Sequence, residues 1–152
     1  MNSRRRRATA ERGSGMVEMV WLGLLLLVPL LWVVLAVFEV QRGSFGVSGA
    51  ARAAARAYAL APDDAVGEER ARAVARQVLA DQGLAQVPVD VTVTCSPYPR
   101  SCHAGTSVIT VRVASAVDLP WLPDLFGLGR PRFALDAEET VPIGRYQEAR
   151  PR

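Results

Sequence analysis

The sequence contains no lysine; all 18 basic residues are arginine, a usage that a GC-rich genome explains as readily as any function. It has one histidine, His103, and two cysteines, Cys95 and Cys102. Two thiols and one adjacent imidazole fall short of the ligand number and spacing of a zinc site. No glycine-rich phosphate loop is present. Nor is there a nucleophile with both a base and an orienting partner: Ser101 near His103 is the only pair of suitable types, and it falls on a turn. These absences argue against an enzyme and imply neither a cofactor nor a metal. Charge is unevenly spread as well. The net +3 comprises +4 in residues 1–13 and −1 in the remainder, so the main domain lacks the basic surface that would gather nucleic-acid phosphates.

Charge is missing altogether from Met19 to Phe38, a run of 20 residues. At about 1.5 Å of helical rise per residue such a run spans roughly 30 Å, the hydrocarbon thickness of a bilayer. A core helix of a soluble domain would show a polar face in that length, and this one shows none. Pro29 lies within it, a placement that membrane helices tolerate. Arg4–Arg7 precede the run, and positive charge beside a span stays cytoplasmic, so the N-terminus is expected inside and the chain from Glu39 outside. Arg42, Arg52 and Arg56, past the far end, dilute this bias without matching its density. The same cluster would adhere to anionic inner-leaflet lipid. A cleaved secretory signal ending near Val34-Leu35-Ala36 is the competing reading, but the apolar region exceeds the usual 7–15 or so residues and Glu18 opens it badly.

Glu18 stands at the lip of the apolar run. A charge at mid-bilayer costs about 2.5–3.5 kcal/mol on insertion scales, and less at the edge. Gly13 lies five residues earlier, directly after the basic stretch. A small residue, four residues, a glutamate and a long hydrophobic helix resemble the class III signal of type IV pilin-like proteins. Arg12-Gly13, Val17-Glu18, the apolar span, Glu39 at its exit and the segment Ala50-Ala51-Arg52-Ala53-Ala54-Ala55-Arg56 together resemble the TadE-like minor pseudopilins of tight-adherence (Flp) pilus systems. The Pro-rich stretch near Leu119–Gly129, followed by a final strand, looks similar to some members.

The resemblance implies a prepilin peptidase that cuts after Gly13 on the cytoplasmic side, leaving Ser14 as the first residue and Glu18 as the fifth. It implies that the Glu18 carboxylate sits beside the freed Ser14 ammonium of a neighbouring subunit. In a low-dielectric helix bundle such a pair fixes axial register, whereas a lone buried carboxylate is penalised. The implied partners are other pilins and pseudopilins of the same system, the peptidase, the inner-membrane assembly platform and membrane lipid. The implied place is the cytoplasmic (inner) membrane, crossed once. Against this stand a bland reading of Glu18, as a marker of the membrane edge, and a different class of protein: a membrane-tethered binding module for envelope material or an extracellular ligand, never part of a filament.

The rest of the chain reads as α+β: a long N-terminal transmembrane helix, then a small extracytoplasmic domain of one helix over about three antiparallel strands, pilin-like in outline. The boundaries are 1–13 for a basic leader, 14–61 for the transmembrane and juxtamembrane helix, 62–142 for the module and 143–152 for a polar tail. Ala50–Leu60 has strong helix propensity. Gly43, Gly46 and Gly49 either loosen the helix before it or allow close approach of a neighbour. An Asp of Pro62-Asp63-Asp64 can cap the next helix. Ala71, Val74, Ala75, Val78 and Leu79 form one apolar stripe and predict a helix over Glu68–Gln82, stopped by Gly83.

Val87, Val89, Val91 and Val93 alternate with polar residues, as do Ile109, Val111, Val113 and Val117, and more weakly Phe133, Leu135 and Ala137. Asp63/Asp64 and Glu68/Glu69 suit a helix start, and Glu138/Glu139 point to opposite faces of a strand, so none of these pairs forms a catalytic dyad. Cys95 and Cys102, flanking SPYPRS between two strands, are expected to form a disulfide, with His103 a plain hairpin residue. Leu119–Gly129 is an apolar loop that either closes over the sheet or offers a docking patch.

Overall fold

The computed structural model describes residues 4–118 and 132–144, with side chains from Gly15 onward. The apolar loop Leu119–Gly129 and the tail from Arg145 lie outside the described residues. The chain divides into two compact units, Met1–Phe38 and Glu39–Arg152. The elements are α1 (Arg4–Ala59), α2 (Asp64–Asp81), β1 (Val89–Ser96), β2 (Val108–Asp118) and β3 (Arg132–Pro142).

The first unit is helical from Arg4. The apolar stretch of α1 is long and apolar enough to cross a bilayer, and its most apolar part is not buried against the rest of the protein. Pro29 lies inside the helix without ending it, at the cost of one backbone hydrogen bond.

In the second unit β1, β2 and β3 form an antiparallel sheet in that order. The register pairs Val91 with Val113 and Val93 with Val111, then Val113 with Ala137 and Ile109 with Val141. The period-2 pattern therefore puts one valine-rich face inward. The opposite face carries Thr92, Thr94, Thr110, Arg112, Asp136, Glu138 and Thr140, with Arg112 bonded to Asp136 and Thr110 to Thr140.

Two helical segments cover the inner face, where the sequence predicts one. The second half of α1 contributes Val47, Ala50, Ala51, Ala54, Ala55 and Tyr58 to the core, and α2 contributes Ala71, Ala75 and Leu79. Gly43, Gly46 and Gly49 do not interrupt α1, which runs on to Ala59. A methyl group at Gly43 would collide with Leu135 and Val117, and one at Gly46 would meet Leu84 and Leu79 at 3.0 and 3.3 Å. These glycines let the helix lie close to its neighbours.

The second helix starts at Asp64, four residues before the apolar stripe suggests, because Asp63 takes the N-cap position and accepts the Val66 amide at 2.9 Å. It ends in a Schellman arrangement: the Gly83 amide bonds Ala80 and the Leu84 amide bonds Leu79, with Gly83 at φ 75°. The Arg42 guanidinium of α1 donates to the Gln82 carbonyl through Nε at 3.0 Å and also through Nη2. A cation at that helix end suits the dipole.

Candidate functional site

In the first unit the residues of interest are Gly13, Ser14 and Glu18. Gly13 and Ser14 belong to the helical backbone of α1; their side chains lie outside the described set. Glu18 is exposed and has no bonded side-chain partner among the described residues. The helical rise places it about 7.5 Å along the axis from Gly13. Beyond it, from Met19 through Leu31, every residue is exposed, and Met19, Trp21, Leu25 and Leu26 are each more than two-thirds exposed. Contiguous apolar surface of this kind is a feature of membrane and protein contact sites.

In the second unit a polar junction joins the end of α1, the start of α2 and the loop between β1 and β2. Cys95 and Cys102 form a disulfide that closes this loop. Closure brings His103 against Asp64, Nδ1 to Oδ1 at 2.5 Å, while Nε2 faces the Tyr58 carbonyl at 3.1 Å. The imidazole stacks on the Tyr58 ring, centroids 5.2 Å apart. Asp64 also accepts the Cys102 amide at 3.2 Å. Gly67 makes room for the phenol, since a Cβ there would lie 3.0 Å from the ring.

The electrostatics follow from this packing. Burial pushes the Asp64 carboxyl up, but the hydrogen bonds from His103 and Cys102, the His103 charge and the Tyr58 hydroxyl outweigh it and hold Asp64 below the usual carboxylate range. Tyr58 is pushed up, first by burial and then by the Asp64 carboxylate beside it. An acid–imidazole pair of this kind orients a base in many hydrolases, but there the second nitrogen faces a nucleophile. Here it is closed off by a backbone carbonyl. The arrangement clamps three chain segments together. No group of three metal-ligating side chains occurs among the described residues.

His103 is the residue that pattern reading undervalued. The structure does not bring it together with Ser101 as a reacting pair; it places His103 in the clamp, with partners 39 and 45 positions away. Comparison with protein families, curated proteins and solved structures finds no match to this chain.

Proposed function

We propose that this chain is a minor pilin-like, TadE-like subunit that helps assemble a tight-adherence pilus. The single observation that supports this is the uncharged, largely exposed helical run from Met19 to Phe38 that opens on Glu18, with Gly13 five residues ahead of it. On this reading α1 is anchored in the cytoplasmic membrane with its arginine-rich end inside, and the second unit stands outside. A prepilin peptidase removes residues 1–13. The new Ser14 ammonium of one subunit then pairs with Glu18 of the next, which makes a carboxylate at the edge of lipid tolerable. The protein acts by packing and presentation, with no catalytic step of its own.

Mass spectrometry of the mature membrane form tests this directly. The expected N-terminus is Ser14. A chain that keeps its arginine leader beside an active peptidase overturns the reading and leaves a tethered binding module in its place. Glu18→Ala is expected to be cleaved normally while pilus number falls about ten-fold or more, the scale of losing a close charge pair in a low-dielectric setting. Normal piliation with that substitution rules out the assembly role.

A further inference from the structure

The sheet has two open edges. Its order is β1-β2-β3, so the outer sides of β1 and β3 have no strand beside them among the described residues. The helix α2 overhangs β1, and a groove runs between them. One cavity of about 560 Å³ is lined by Arg72, Arg76, Ala80, Leu84, Val89 and Val91. A second of about 300 Å³ shares Arg72 and Val91 and extends to Val93. An open strand edge for a floor and a helix for a far wall is the geometry that accepts an added strand, whose backbone bonds the edge while alternate side chains enter the groove.

We propose that this strand is β3 of a second copy of the chain, so that copies join side by side through a β3-to-β1 contact. Three features identify the occupant. The first is pattern: Leu135, Ala137 and Val141 lie on the helix-covered face of β3 and would continue the apolar row of Val89, Val91 and Val93. The second is charge. The third strand holds Asp136, Glu138 and Glu139 against one arginine, Arg132, while the α2 wall of the groove presents Arg72 and Arg76. Arg72 is engaged by Glu68; Arg76 has no ion-pair partner among the described residues. Glu139 lies on the same face as Leu135 and Val141, and its own link to Arg52 is long, 3.7 Å, and exposed. Such a pair is worth little and exchanges readily.

The third feature is direction, and this part rests on the proposed membrane anchoring. Both β1 and β3 run antiparallel to β2, hence parallel to each other. Translating a copy across the sheet therefore sets β3 beside the next β1 with the helices on one face and every Glu39 end pointing the same way. Pairing β1 with β1, or β3 with β3, by a half-turn about the sheet normal sends those ends in opposite directions. A contact between two different edges, repeated by translation, leaves one edge free at each end and so extends into a row.

Cysteine cross-linking of the full chain in phosphatidylcholine vesicles tests the contact. Thr92 and Glu138 are exposed on the outer face and sit level with each other across Arg112; Thr94 and Thr140 sit level across Thr110 and guard against a two-residue stagger. Oxidising a mixture of Thr92→Cys and Glu138→Cys chains, or of Thr94→Cys and Thr140→Cys chains, should give the mixed dimer in excess of either same-site dimer. Arg76→Glu should lower its yield about five-fold, and adding Glu139→Arg should restore it, the behaviour of a close charge pair across an interface. Dominant same-site dimers, no dimer from a chain whose Cys95–Cys102 bond is intact, or a yield indifferent to Arg76→Glu overturns the proposal. Processing after Gly13 by an active peptidase together with absent cross-links removes this contact alone; cross-links in a chain that keeps its leader beside an active peptidase remove the pilin reading alone.

Discussion

Asp64 does three tasks at the clamp: it stands in the first turn of α2, accepts the Cys102 amide and holds His103. Its carboxyl is depressed below the usual range. A depressed carboxyl contributes stability that is fully present above its unfolded value and is lost as pH falls through its folded value. The chain should therefore weaken on acidification below about pH 4, where free carboxylates begin to protonate. Asp64→Asn should cost about 1–2 kcal/mol at pH 7, a range reduced for the partial exposure of the side chain. Urea unfolding of the full chain in detergent at several pH values measures both effects. The gap between the two proteins should narrow toward acid; a gap that is constant with pH rules out the carboxylate as its cause. None of this was legible at His103 itself, because a lone histidine on a turn says nothing about an aspartate and a carbonyl that reach it only after the chain has folded back.

Individual elements were more legible than their ends. Alternating valines in β1 and β2 leave one register that buries them, and the structure adopts it. The start of α2 was harder, since its first four residues lie outside the apolar stripe and are held by the Asp63 cap. Whether Gly43 and Gly46 loosen α1 or let it approach depends on what faces them, and Leu135, Val117, Leu79 and Leu84 are remote in sequence. One substitution separates these roles. Gly43→Val should destabilise by about 1–3 kcal/mol through overpacking against Leu135 and Val117. Gly83→Ala should cost about 1–2 kcal/mol, because a side chain is strained at φ 75°. Thermal melts of the full chain check both. A Gly43→Val protein as stable as the parent, or more so, denies the close approach.

At the scale of the molecule, the compact second unit begins at Glu39, so the part of α1 that follows the apolar run belongs to the folded module and supplies helical cover for its sheet. Sequence alone hid this, because Ala50–Leu60 has the same alanine-rich look whether it faces water or a sheet. The disulfide closes a loop with a sequence separation of 7, and removing it by Cys95→Ser with Cys102→Ser should cost roughly 2–3 kcal/mol on the chain-entropy relation. Denaturant midpoints with and without reductant measure that loss; equal midpoints would show that the clamp holds the loop by itself.

The contact between α1 and the rest of the second unit is made largely of alanine: Ala50, Ala51, Ala54 and Ala55, with Ala71 and Ala75 from α2, are all buried to within 1%. Methyl groups have no rotamers to freeze, so this seam forms at little entropic cost. They also have nowhere to retreat. A library of variants should therefore read as two stripes along the same helix, one that accepts nearly any residue and one, a single atom wide, that accepts almost nothing larger than what is there.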